Sequence, residues 1–128
     1  DLPNCEHVVQ EVQAFLLERA AIIEEAGIDP QRIAIDPGFG FGKSLEHNYQ
    51  LLAHMDAFVE HGYPVLAGLS RKSMLGKVTN LEVGERLLPS IAAAILAVER
   101  GAMIVRTHDV PETVSALQVW QATKEQST

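Results

Sequence analysis

The chain carries one cysteine, Cys5, so no internal disulfide can staple it. A single thiol in a poorly patterned terminal segment is a weak nucleophile candidate, and such sparing use of cysteine fits a reducing, cytoplasmic setting. No apolar run approaches the roughly 18 residues needed to cross a bilayer, so no membrane-spanning helix is expected. The opening Asp1-Leu2-Pro3-Asn4 has no basic stretch leading into an apolar one, so no secretory leader is expected. The chain does not begin with Met, which points to a fragment or a processed form. Positive charge is scarce: 10 Lys and Arg face 17 Asp and Glu, for a net charge of −7. That balance argues against nucleic acid as a partner, yet leaves room for a small anion held by a few local cations. Repeats, low-complexity tracts and interdomain linkers are also missing. What remains is 128 residues, 47% hydrophobic and 21% charged, which suits one compact globular domain over residues 1–128.

Hydrophobic spacing divides the chain into regular elements. Val8, Val9, Val12, Phe15, Leu16, Ile22, Ile23 and Ala26 recur at helical intervals, and Gly27 stops that helix. Ile33 to Ile35 reads as a buried strand. Ser44 can cap a second helix with a core face of Leu45, Tyr49, Leu52, Met55 and Phe58 or Val59, ending at Gly62. Pro64 to Leu69 reads as a second strand, followed by a loop or helical turn to about Val83. Glu85 to Arg100 is a helix apolar almost all round, and is therefore expected to be well covered, with Pro89 in its first turn or kinking it. Met103 to Arg106 reads as a third strand, and a last helix runs from about Pro111 to Thr123.

The order is therefore a helix followed by three strand–helix units. The strands recur roughly 32 and 38 residues apart, the spacing of βα units with parallel strands. Three strands do not close a barrel, and a small open parallel sheet would leave its edges and one hydrophobic helix poorly covered. The expected fold is α/β: the carboxyl-terminal half of a (β/α)8 TIM barrel, with about three parallel strands and four to five helices.

The densest chemical signal follows the first strand, in Asp36-Pro37-Gly38-Phe39-Gly40-Phe41-Gly42-Lys43-Ser44. A carboxylate stands at the carboxyl end of the strand, where α/β proteins bind ligands. The glycine-rich turn behind it allows close backbone approach, and its two rings, Phe39 and Phe41, are expected to line a pocket. Known phosphate loops fail on spacing. A Walker A loop needs four residues between its first Gly and Gly-Lys-Ser, and here three separate Gly38 from Gly42. The dinucleotide fingerprint G-x-G-x-x-G is not met either. The bland alternative is a plain strand-to-helix turn.

The other strand ends add Ser70, Arg71, Lys72 and Ser73, then Arg106 and His108. In a parallel sheet these groups meet Asp36 and Phe41 on one rim. A carboxylate, three cations, hydroxyls, a ring and an imidazole suit a flat polar heterocycle with an anionic leaving group. Arg106 and His108 alternate across Thr107, so both can face one side and donate to phosphate. The competing reading is a surface ion-pair set of Arg71, Arg106 and Asp109. His47, His54 and His61 recur every seven residues, about 10 Å along a helix, too far apart to share a metal ion, so they read as a solvated stripe. His108-Asp109 alone is too little for a metal phosphohydrolase, and Trp120 reads as a packing or interface residue.

Together, Ile35 to Lys43, Gly68-Leu69-Ser70-Arg71-Lys72-Ser73-Met74-Leu75-Gly76 and Arg106-Thr107-His108-Asp109-Val110 resemble the dihydropteroate synthase family of folate biosynthesis. The likeness extends over nearly the whole chain, and the Ser-Arg-Lys-Ser block separates the family from the related pterin-binding methyltransferases. It implies a transferase that joins 6-hydroxymethyl-7,8-dihydropterin diphosphate to p-aminobenzoate and releases diphosphate. By that resemblance Asp36 holds the pterin ring and stabilises developing positive charge, Lys72 reaches the pterin and borders the aminobenzoate pocket, and Arg106 lies on the pterin face. Arg106 and His108 would hold diphosphate, Phe41 would pack on the aminobenzoate ring, and Ser73 would receive its carboxylate. Asp36, Lys72 and Arg106 are the catalytic candidates. Gly40, Phe41, Gly68, Ser70, Arg71, Ser73, Thr107 and His108 complete the substrate-binding set.

The resemblance also implies a homodimer, a sulfonamide target, and Mg2+ bound through the diphosphate and through residues absent from this chain, with no metal ligand among its own. The family's first half, with its Asn-bearing strand and mobile loops, has no counterpart here. The chain alone is therefore expected to be inactive. The alternatives are a non-catalytic barrel fragment mediating dimerisation and a pterin-dependent methyltransferase.

Overall fold

The computed structural model describes residues 5–40 and 42–127. Its first element is the long helix α1 (Cys5–Glu25), which lays Val8, Val9 and Ala20 against the rest of the molecule and ends at Gly27, in left-handed backbone. A single 3-10 turn, Pro30–Arg32, capped by the Asp29 side chain on the Gln31 N–H, leads into the first extended segment. Then come α2 (Leu45–Ala53) and α3 (Asp56–Val59), strand β1 (Leu66–Ala67), α4 (Ser73–Thr79), α5 (Leu87–Glu99), strand β2 (Ile104–Val105) and α6 (Val110–Glu125). The chain is α/β, mostly helical, around a small parallel sheet.

Main-chain register matters most for function. Leu66 pairs with Ile104 and Ala67 with Val105, in parallel. On the other side, Ile35 bridges Val65, its N–H donating to Pro64 O at 2.9 Å while the Leu66 N–H donates back to Ile35 O at 2.8 Å. The Arg106 N–H extends the second pairing to Ala67 O at 3.0 Å. All three segments run parallel, so the loops that follow them leave from the same end of the sheet. Two of the three expected strands are regular. Ile33–Ile35 contributes one isolated bridge, at Ile35.

One core cluster lies between the sheet and the helices. Leu51, Met55, Phe58, Val65 and Ala97 are fully buried. The second helix is longer in expectation than in fact: it breaks at His54, and α3 restarts to drop Phe58 into the core while Val59 stays 36% exposed. Ser44 caps α2, its hydroxyl accepting from the His47 N–H at 3.0 Å. Ser44→Ala is expected to cost about 1 kcal/mol, readable as a lower urea midpoint.

Three expectations need correction. Phe39 does not line a pocket: the glycine loop folds back and buries it at 4% exposure in the core, while Phe41 lies outside the described residues. The apolar helix starts at Leu87, with Pro89 in its first turn, and is covered on one face only. Ser90, Ala93, Ala94 and Ala97 face inward while Leu88 is 78% exposed, because only one side of α5 meets the sheet and its neighbours. The loop or helical turn expected after Lys72 is helical, as α4, ended by Asn80 in left-handed backbone. Of the histidine stripe, His54 and His61 are exposed but His47 is half-buried. No group of three His, Cys, Asp or Glu able to hold a metal occurs among the described residues.

Candidate functional site

Each strand end delivers its side chains through a loop held by polar bonds. In the first loop the Asp36 carboxylate accepts from the Gly38 N–H at 2.9 Å, turning the chain sharply at Pro37. Gly40 has a φ of 113°, and its N–H donates to Asn48 Oδ1 at 2.9 Å. Asn48, 5% exposed on α2, also donates from Nδ2 to Ser44 O at 3.1 Å. This one amide ties the glycine loop to the helix behind it. It is a residue the sequence did not single out, for only its burial marks it. Asn48→Ala would leave the Gly40 N–H unpaired. It is expected to cost about 1–3 kcal/mol and to quicken hydrogen exchange in the 36–43 loop first.

The second loop is the most constrained. Arg71 has a φ of 59°, in left-handed backbone that a branched or long side chain rarely adopts. Three bonds hold it there. Its N–H donates to Ser90 Oγ at 2.8 Å, its carbonyl accepts from Arg86 Nη1 at 2.9 Å, and its guanidinium pairs with Asp109 at 2.7 Å. The Asp109 pairing raises the Arg71 pKa, so this cation stays charged and engaged. Arg86 also donates to Leu81 O at 3.0 Å and fills the space beside Gly76, where a Cβ would meet its guanidinium. Ser90 and Arg86 were not legible as site residues. Their role depends on bringing α5 against a loop fifteen or more residues earlier.

Lys72 follows this bend. Its ammonium donates to Phe39 O at 2.9 Å and lies 5.9 Å from the centre of the Phe39 ring. Burial pushes its pKa below the ordinary 10.5; Asp36 opposes that shift, and Arg106 and Lys43 reinforce it. Asp36, Lys72 and Arg106 are thus close enough to feel one another's charge. Arg106 lies against Gly68, where any Cβ would approach its Nη2 to 3.1 Å, so the glycine is the seat of the arginine. At the third strand end, Ser70 Oγ lies 2.8 Å from His108 Nδ1 and accepts from the His108 N–H at 3.1 Å.

These groups surround a hollow of about 400 Å³ lined by Gly68, Ser70, Lys72, Arg106, Thr107 and His108. A second, of about 360 Å³, carries Asp36, Gly38 and Lys43 beside Val12, Phe15 and Leu16 of α1. A larger hollow of about 800 Å³ lies between α5 and α6, bordered by Trp120, and shares only Arg106 and Thr107 with the rim chemistry. Two expected members stand apart. Arg71 turns to Asp109, so two cations rather than three face the central hollow, as the ion-pair reading anticipated for Arg71 and Asp109. Ser73 is exposed as the first residue of α4 and lines neither rim hollow.

Comparison with known proteins agrees with this architecture. The model of the family described as pterin-binding enzymes matches residues 2–108. The chain is similar to a dihydropteroate synthase of Haemophilus influenzae, 53% identical over 121 residues, which are 94% of this chain and 44% of that protein. Among solved structures it is similar to a Xanthomonas albilineans dihydropteroate synthase in complex with 7,8-dihydropteroate, at 55% identity and a TM-score of 0.90, covering 91% of this chain and 45% of that one. It is also similar to one from Coxiella burnetii in complex with pteroic acid, at 44% identity and a TM-score of 0.92, covering 96% and 46%. The chain therefore spans just under half the length of the relatives it matches. With two parallel strand ends framing one polar hollow, Asp36 of the third lining a second hollow, and a family match over most of its length, the chain belongs to the pterin-binding enzyme family.

Proposed function

We propose that this chain is the carboxyl-terminal half of a (β/α)8 barrel, one partial domain over residues 1–128, from a dihydropteroate synthase. The whole enzyme would condense 6-hydroxymethyl-7,8-dihydropterin diphosphate with p-aminobenzoate. The observation that carries the reading is the shared rim: Asp36, Lys72, Arg106 and His108 come from three aligned parallel strand ends. The names of the relatives in complex with 7,8-dihydropteroate and with 4-aminobenzoic acid support the same substrates here.

The chemistry follows from charge. As the bond between the pterin methylene and diphosphate breaks, cationic charge grows on the heterocycle and anionic charge on the departing group. Asp36, turned and fixed by its own loop, would hydrogen-bond the ring and stabilise the cationic side. Arg106 and His108 would hold diphosphate, and Lys72, with its lowered pKa, would border both ring pockets. The arylamine then attacks the methylene carbon and loses its proton after the bond has formed, so no strong base is needed beforehand. Phe41 packing on the aminobenzoate and Ser73 meeting its carboxylate are carried by the resemblance alone. The described residues do not by themselves fit a Mg2+ site; the ion would be held by the diphosphate and by residues outside this chain.

The full-length protein supplied with both substrates should release diphosphate and form dihydropteroate, and sulfonamides should compete with p-aminobenzoate in calorimetry. The isolated chain should show no turnover. Turnover of a methyl-folate donor with no response to p-aminobenzoate would favour the methyltransferase reading instead. The 78% exposure of Leu88 beside Leu87 and Leu96 supports a second property, pairing of two copies through α5. No helix of the described residues is long and apolar enough to cross a membrane, and the acidic balance suits a cytoplasmic enzyme without nucleic-acid partners.

A further inference from the structure

The protons around the third strand end can be counted one by one. The Asp109 N–H donates to Thr107 Oγ1 at 3.1 Å. Thr113 Oγ1 donates to Asp109 O at 2.7 Å, which uses its only proton. The 3.1 Å contact between Thr107 and Thr113 hydroxyls must then run from Thr107 to Thr113. Thr107 has no second proton, so its 3.5 Å approach to Ser70 is not a hydrogen bond from Thr107. This ring of donors, with Thr113 buried at 4% exposure, fixes the loop that carries His108.

Ser70 is settled next. Its oxygen accepts the His108 N–H at 3.1 Å, and its one proton has a single good acceptor, His108 Nδ1 at 2.8 Å. The opposite polarity would point two donors of His108 at one oxygen and leave the serine proton only the long 3.5 Å approach to Thr107 Oγ1. We infer that Ser70 is a positioning residue that holds neutral His108 as the Nε2–H tautomer and presents that N–H to an anion in the hollow bounded by Lys72 and Arg106. Ser70 itself has no proton left to give the anion. It therefore contributes to binding through His108 rather than by direct donation, although its oxygen lines the hollow. The same two-point hold, backbone and ring, fixes the imidazole plane against rotation.

The inference rests on the proposed function only in naming the anion as diphosphate; the tautomer stands apart from it. Two measurements on the full-length protein test it. Nitrogen-15 NMR of the histidine rings at a pH where His108 is neutral, assigned by loss of the signal in His108→Gln, should show Nδ1 unprotonated and Nε2 protonated. Inorganic diphosphate binding by calorimetry should weaken about tenfold in Ser70→Ala and be restored within about twofold in Ser70→Thr, which keeps the donor. The same Ser70→Ala change made in His108→Gln should cost less than about twofold, since the group it positions is gone. A protonated Nδ1, or an equal loss in both backgrounds, overturns the inference. Correct tautomer and coupling in a protein that does not turn over pterin diphosphate would leave the inference standing and remove the proposed reaction.

Discussion

Replacing Lys72 by Ala in the full-length protein is expected to lower kcat/KM about 100- to 1,000-fold, the usual cost of removing one fixed charged donor from a closed site. The ammonium feels the charges of both Asp36 and Arg106, and Lys72 lines the hollow that Arg106 and His108 also line. The loss should not come from unfolding. The folded pKa of Lys72 lies below the unfolded value of 10.5, chiefly because burial disfavours the charged form. A depressed lysine pKa means that at neutral pH the folded state carries a penalty, which fades as pH rises from the lowered folded value toward 10.5 and is gone above it. Removing the amine lifts that penalty, while the Phe39 carbonyl loses its donor, a loss of about 1 kcal/mol. The two changes oppose each other, so the thermal midpoint should move little. Near-normal turnover in Lys72→Ala would remove Lys72 from the site. A large fall in midpoint would show that the amine holds the loop together instead.

Phe58→Ala is expected to have the largest effect on stability, about 3–5 kcal/mol. Its ring is fully buried with Leu51, Met55 and Val65, and it belongs to a four-residue helix with little stability of its own. The short α3 is kept in place by what Phe58 buries. Folded domains are stable by roughly 5–15 kcal/mol, so the loss is a large share of the whole. Val59→Ala is the internal control. Next in sequence but 36% exposed, it should change stability by at most about 1 kcal/mol. Its side chain also fills the space beside Gly101, where a Cβ would come within 2.6 Å of Val59 Cγ2. Equal destabilisation by the two substitutions in urea titrations would mean that Phe58 does not anchor the core as its burial indicates.

The helices were legible because their signals are local. The Ser44 cap, the glycine stops at Gly27 and Gly62, and the apolar spacing of α1 each need only a few neighbouring residues. The rim residues were legible because chemistry-bearing side chains followed each of three apolar runs. What escaped was long-range. Phe39 read as a pocket residue because no periodic face surrounds it, yet the loop folds it into a core built from residues elsewhere in the chain. Arg71 read either as a ligand cation or as an ion partner of Asp109, and only the fold decides between them: Asp109, thirty-eight positions away, takes its guanidinium.

From sequence alone came the family, the parallel βα order and the side chains gathered at the strand ends, since periodicity and local turn chemistry encode these directly. Tertiary structure alone decided which cations face the hollow, why Arg71 adopts left-handed backbone, and where the protons of Ser70, Thr107 and Thr113 go. Those outcomes depend on Ser90, Arg86, Asn48 and Asp109 arriving from distant elements. A hydrogen bond over 3 Å is settled by packing, and no pattern of neighbours along the chain specifies it.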